Sequence, residues 1–294
     1  MTEPVQHTQG LSEWVTTQDG RRLHAMVLPI PHPGNETTAP TVVFEAGAGS
    51  SRSSWAKVQP EVARCTGAVV YDRSGLGRSA PDPSGRSMIR MADDLNQVLD
   101  HFGPGPFILV GHSAGGPIVR LAAASQPARI AGLVLVDPVD EAAQVLFTSR
   151  FRRGERIRIG VATVLTRLGL LRFLFRGLLR DVPPDVRDDL NREGFTRGVA
   201  RTMRQQARTF LDELATWRVT PPDTGSIPVT VISGARTGDG MDAATRAEAI
   251  AAHAHRATRS PAGRHVIAEN SGHSVPATEP ELIAREIIKM AELS

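Results

Sequence analysis

Five consecutive residues, Gly111-His112-Ser113-Ala114-Gly115, with Gly116 following, have the spacing that chemistry on a serine hydroxyl requires. An alcohol is a poor nucleophile. It becomes useful where the backbone doubles back so sharply that the hydroxyl stands clear, and small neighbours permit that turn. The first amides of a following helix also point free N–H groups at an oxyanion, and the amide of Ala114 is placed to do so. Such a serine still needs an imidazole to take its proton. Of the nine histidines, His273 stands in a short loop, Ser271-Gly272-His273, after the last strand-like run. His112 flanks the serine, but its ring cannot easily fold back onto Ser113, so a shaping or hydrogen-bonding role is expected. His265 begins a strand-like run and reads as an edge or packing residue. His253 and His255 fall on an Ala-rich helix, where solvated positions are expected.

The elements that must position these residues are legible as alternating runs. Residues 11–28 read as two alternating strands around the turn pair Asp19-Gly20, followed by a connection rich in proline (Pro29, Pro31, Pro33, Pro40). Short buried-strand patterns follow at Thr41–Ala46 (TVVFEA), Ala68–Tyr71 (AVVY), Phe107–Val110 (FILV) and Leu133–Val136 (LVLV). Met88–Phe102 has helical spacing, with Met91, Leu95, Val98, Leu99 and Phe102 on one face, and Ala114–Ser125 is helical as well. Strand FILV directly before Ser113 and helix directly after it supply the strand–turn–helix context the chemistry demands. From about Asp140 to Pro222 no good strand appears, and helical segments are broken by glycines and by Pro183-Pro184. That stretch is too long for a loop and reads as an inserted helical cap. Strand character returns at Val229–Ser233 (VTVIS), then a helix at about 242–257, a strand at Arg264–Ala268 and a last helix at about 279–292.

In this order the motifs resemble those of the α/β-hydrolase superfamily over most of the chain outside the cap. GHSAGG is similar to its nucleophile elbow, and FEAGAGSS to the loop after its third strand, where many members carry His-Gly. YDRSGLGRS is similar to the turn after its fourth strand, RIAGLVLVDP to its sixth strand, and NSGHSVP to its histidine loop. The resemblance implies an α/β-hydrolase fold with a mostly parallel eight-stranded sheet flanked by helices. The core would be residues 1–138 and 223–294, and the helical cap 139–222, inserted between strands six and seven. It further implies Ser113 as nucleophile, His273 as base, and an oxyanion hole from the amides of Ala48 and Ala114, with Gly47 and Gly49 keeping that loop compact. The acid departs from the usual pattern. Most relatives carry it in a G-x-x-D after the seventh strand, where this chain has Gly234-Ala235-Arg236-Thr237. Asp239 and Asp242 lie just downstream. The other known placement, the end of the sixth strand, is Asp137 here, although an Asp-Pro pair after a strand is also ordinary turn chemistry. Asp137 is preferred and Asp239 is the alternative acid. Glu45 either braces the oxyanion loop or caps its strand. The implied activity is hydrolysis of a carboxylic ester or related acyl bond of a small, largely apolar substrate. Serine-type relatives also include lactonases, acyltransferases, carbon–carbon bond hydrolases and cofactor-free haloperoxidases. A non-catalytic ligand receptor or interaction module is the reading from a different class.

Bulk properties fit this picture. The 294 residues, 40% of them hydrophobic, suffice for one large core or a core with a subsidiary layer. The formal charge is only +3, weak support for nucleic-acid binding despite a pI near 9.7, and no nucleic-acid partner is expected. Cys65 is the sole cysteine, which excludes an internal disulfide and a cysteine metal cluster, and it reads as a small buried apolar residue. MTEPVQHTQG lacks a basic region followed by an apolar run, so no signal peptide is evident and the expected compartment is the cytoplasm. The most apolar stretch, Ile157 to Leu179, is interrupted by Arg158, Arg167, Arg172 and Arg176, against a membrane span. Arg172, Arg176 and Arg180 recur every four residues, with Leu168, Leu171, Phe175, Leu178 and Leu179 filling much of the rest. A basic amphipathic helix can lie on a membrane, but the preferred reading is a cap helix over the cleft with arginines solvated or paired with Asp181, Asp185, Asp188 and Asp189. Gly47-x-Gly49 after a strand is a poor dinucleotide signature, because Arg52 stands where a third glycine belongs. No metal or organic cofactor is implied, since a triad and backbone donors suffice.

Overall fold

A computed structural model describes residues 7–29 and 39–293. Pro31, Pro33 and the opening residues 1–6 lie outside that range, as do the side chains of Arg176 and Leu178. Eight strands form one sheet: β1 (Leu11–Thr16), β2 (Arg22–Leu28), β3 (Thr41–Glu45), β4 (Ala68–Tyr71), β5 (Phe107–His112), β6 (Ile130–Val136), β7 (Val229–Gly234) and β8 (Gly263–Ala268). Their order is β1-β2-β4-β3-β5-β6-β7-β8. β1 and β2 form the antiparallel hairpin that Asp19-Gly20 announces, β2 meets β4 antiparallel, and every later pairing is parallel.

Parallel strands are buried on both faces, and their side chains alternate between two apolar layers. Val43, Val69, Leu109, Leu133 and Leu135 pack toward the helices Met88–Phe102 and Gly115–Ser125. Val42, Phe44, Val70, Ile108, Val110, Val134 and Val136 pack on the other side, where Trp55, Ile283 and Ile287 close the layer. The chain lays β4 on one side of β3 and β5 on the other, so the order reverses between β3 and β5. A crevice opens beyond the carboxyl ends of strands at such a reversal. Glu45 at the end of β3 lies opposite Gly111 of β5, which puts the loop 46–49 beside the serine turn.

Between β6 and β7 the described chain is helical and loop only. Its longest pieces are Ser149–Arg167, Arg197–Gln206 and Phe210–Thr216. The helix expected through 172–180 is two short ones, Leu171–Leu174 and Arg176–Arg180. This excursion is tied down by buried ions. Fully buried Arg52 holds Asp72 of the core at 2.6 Å and, from the excursion, Asp189 at 2.7 Å and Glu193 at 2.7 Å. Asp185 accepts from the Thr8 amide at 2.6 Å. The acids expected to pair with the cap arginines are therefore partly committed elsewhere: Asp189 serves Arg52, Arg78 and Arg192. Cys65 also departs from expectation. It is exposed, because it lies just past the short helix Gln59–Val62 as the chain returns to β4 across the surface.

Candidate active site

Ser113 sits at the end of β5 with φ +53, a left-handed backbone that a non-glycine residue adopts only where its surroundings enforce it. Glycines at 111 and 115 make the turn feasible. A Cβ at Gly111 would lie 2.6 Å from the Gly115 carbonyl oxygen, and one at Gly115 would lie 2.5 Å from that of Glu45. The turn is pinned from the neighbouring strand: the Ser113 amide donates to the Val136 carbonyl at 3.1 Å, and the Ser113 carbonyl accepts from Gly116 and Val139 at 3.0 Å each.

Three side chains converge there. His273 Nε2 is 2.9 Å from Ser113 Oγ, and His273 Nδ1 is 2.6 Å from Asp137 Oδ2. Asp137 follows β6 with φ +40, and its second oxygen accepts from the Gly234 amide at 3.0 Å and from Arg246 Nη1 at 2.6 Å. Burial alone would raise its pKa. The hydrogen bond to His273, reinforced by the charges of His273, His253 and Arg246, outweighs burial and holds the carboxyl at about 2. Asp239 points elsewhere, accepting from Ser274 Oγ at 3.3 Å. Asp242 caps the helix Ala243–Thr258, accepting from the Thr245 amide.

The supporting residues are equally specific. His112 Nε2 donates to the His273 carbonyl at 2.9 Å, so the residue beside the serine fixes the loop that carries the imidazole. Burial, together with neighbouring His273, lowers the His112 pKa to about 4, which keeps it neutral. Glu45 braces the loop 46–49. It accepts from Tyr71 and from Arg73, and Arg73 also donates to the carbonyls of Ala46 and, at 2.6 Å, Gly47. Among the described residues the amides of Ala48 and Ala114 donate to no protein acceptor. His253 is not solvated as expected. The helix Ala243–Thr258 turns it against β7, where its ring contacts Ser233 Oγ at 2.7 Å and donates from Nε2 to the Pro138 carbonyl at 2.8 Å. The residue that sequence reasoning missed is Arg246. It is buried on that same helix and grips Asp137. Its only prior signal is an arginine among alanines, and nothing local says what it faces.

Beside the site lies a cavity of about 400 Å³, which borders it at His112 and Ser274, the chain neighbours of Ser113 and His273. Its floor includes Ala48, Gly49, Ser53, His112 and Ser274 from the core loops. Its roof is apolar and comes from the excursion, with Ile159, Phe175, Val199 and Met203 prominent. Among the described residues no group of His, Cys, Asp and Glu is arranged to hold a metal ion, and no helix is long and apolar enough to cross a membrane.

Known proteins place this arrangement in context. A model of the alpha/beta hydrolase family matches residues 42–286. Over 99 residues the chain is 33% identical to YqjL, an uncharacterized protein of Bacillus subtilis (strain 168), across 33% of this chain and 39% of that one. Over 112 residues it is 36% identical to "Putative carbamate hydrolase RutD" of Klebsiella pneumoniae (strain 342), across 38% of this chain and 41% of that one. The matched stretches thus span about two fifths of these relatives' own length. In three dimensions the epoxide hydrolase CorEH, solved without ligand, superposes with TM-score 0.72 at 20% identity, covering 97% of this chain and 99% of that one. At that identity the likeness is one of fold.

Proposed function

The chain belongs to the alpha/beta hydrolase family, and from that premise we propose that it hydrolyses an ester, or a related acyl bond, of a small apolar substrate through an acyl-enzyme on Ser113. The observation that supports this most is the unbroken run from Ser113 Oγ through His273 to Asp137, at 2.9 and 2.6 Å. His273 Nε2 takes the hydroxyl proton as Oγ attacks the substrate carbonyl carbon, and the carbonyl π electrons move onto oxygen. The free amides of Ala48 and Ala114 receive that oxyanion, in a loop kept rigid by Glu45 and Arg73. Collapse expels the leaving alcohol, which takes the proton back from His273. Water then repeats the sequence, splitting the acyl-enzyme to release the acid. Asp137 holds the ring by Nδ1–H and stabilises its positive charge. Residues 139–222 act as the cap, whose apolar roof selects an apolar acyl group and excludes water.

A serine in this position favours acyl chemistry over epoxide opening, which needs an aspartate nucleophile that becomes an ester itself. The relatives named for carbamates make a carbamate, whose carbonyl a serine can attack in the same way, the second substrate class to test. A panel of p-nitrophenyl esters from acetate to laurate, with an aryl carbamate and styrene oxide alongside, separates these possibilities. Ester turnover that favours medium acyl chains and vanishes in Ser113→Ala is the expected result. Turnover of styrene oxide, or ester cleavage undiminished in Ser113→Ala, would remove the acyl-enzyme.

A further inference from the structure

The helix Ser149–Arg167 is apolar on two sides. One side faces the cavity through Ile159, Ala162 and Thr166. The other turns outward. Ile157, Val161, Val164 and Leu168 succeed one another at spacings of four, three and four, which aligns them along one stripe. Their exposures are 59, 52, 53 and 64%. Arg153 continues the stripe at its start, and Arg156 and Arg167 flank it, all three exposed. Arg172 and Arg180 lie on the exposed surface just beyond. None of these five arginines has a carboxylate within ion-pair reach among the described residues, whereas core arginines such as Arg21, Arg52 and Arg256 are each paired. The sole acid from 150 to 180, Glu155, is half-buried.

We infer that this outer face of the cap docks on an anionic lipid surface, with the stripe sunk among the acyl chains and the arginines at the headgroups. The pattern fits a helix lying in the plane of an interface. The charge argues against the other simple occupant, a second copy of this chain. A two-fold contact through this stripe would set the arginines of one copy against those of the other, with no acidic residue between positions 156 and 180 to compensate. Docking also gives the cavity a source of apolar substrate, because Phe175 both lines it and stands 40% exposed on the same cap. That consequence rests on the hydrolase reading. The docking itself does not, and Ser113→Ala should bind lipid as wild type does.

The test is sedimentation of the whole protein with sucrose-loaded vesicles, either pure phosphatidylcholine or equal parts phosphatidylcholine and phosphatidylglycerol. Wild type should bind the anionic vesicles at least about tenfold more tightly, an advantage lost in high salt. Val164→Asp with Leu168→Asp should abolish binding, with an unchanged thermal midpoint showing that the fold survives. Should that variant unfold, Arg153→Gln with Arg167→Gln carries the test. At roughly a fivefold loss per arginine, its binding should weaken about 25-fold. Three results would each overturn docking: equal sedimentation with both vesicle types, undiminished binding by the arginine variant, or a wild-type dimer in solution that the aspartate variant renders monomeric.

Discussion

The two walls of the cavity are built on opposite principles. The floor, taken with the serine site that adjoins it at His112 and Ser274, is over-determined. In that site Ser113 and Asp137 both hold positive φ, His112 secures the His273 loop, Arg246 secures Asp137, and Glu45 is locked between Tyr71 and Arg73. The roof meets the cavity with apolar side chains and is fastened mainly at its margins, by Arg52 to Asp189 and Glu193 and by Thr202 to the Gly75 carbonyl at 3.0 Å. A reaction centre must hold charge in a fixed geometry, so its hydrogen bonds are redundant. A wall that receives an apolar group needs shape more than direction.

The largest effect expected from perturbing the floor is at the acid. Asp137→Asn should lower kcat by about 10⁴-fold, as loss of a triad carboxylate does elsewhere, while Asp239→Asn should change it less than about twofold. Equal losses at the two positions, read by steady-state ester turnover, would mean that the loop after β7 rearranges to supply the acid. At the roof margin, Arg52→Met leaves buried Asp72 without its arginine and cuts the link to Asp189 and Glu193, whose remaining arginines are Arg78 and, for Asp189, Arg192. The cost should be about 3–5 kcal/mol in chemical denaturation. If instead stability holds and only KM rises, the roof hangs on its apolar contacts and the contrast between the walls weakens.

His112 offers a test by pH. Its pKa lies near 6.5 unfolded and at about 4 folded. The unfolded state therefore binds more protons between those values, and stability is fully present above pH 6.5 and lost as pH falls toward 4. The shift corresponds to about 3 kcal/mol. His112→Gln, which can still donate to the His273 carbonyl, should flatten the fall in stability over that window by about that amount. Among the substitutions expected to cause a loss, the smallest is at Arg246→Met. Asp137 keeps the Gly234 amide and His273, so activity should drop only about tenfold, with a rise in the pH at which Asp137 protonates. A loss as deep as that of Asp137→Asn would make Arg246 a full partner in the floor.

The contrast between the walls also marks what the sequence reveals. Alternating apolar runs and the GHSAG turn report local geometry, so the eight strands and the elbow are legible, and the missing aspartate at 237 turns attention to Asp137. Arg246 is not legible, because its meaning depends on a helix that starts more than a hundred residues after Asp137. Buried His253 escapes for the same reason: an Ala-rich helix has no marked polar face, and only packing on β7 decides which side is inside. Arg52 stands in a turn and reads as a departure from a glycine pattern, but its three carboxylates come from Asp72 and from Asp189 and Glu193, far along the chain between β6 and β7.

Active-site labelling decides whether Ser113 is the proposed nucleophile. Whole protein is incubated with a fluorophosphonate, and intact mass and peptide mapping follow. A single adduct on Ser113 is expected, absent in Ser113→Ala and formed far more slowly in Asp137→Asn. Wild-type protein that resists labelling as fully as Ser113→Ala, or an adduct formed at another residue, would contradict it.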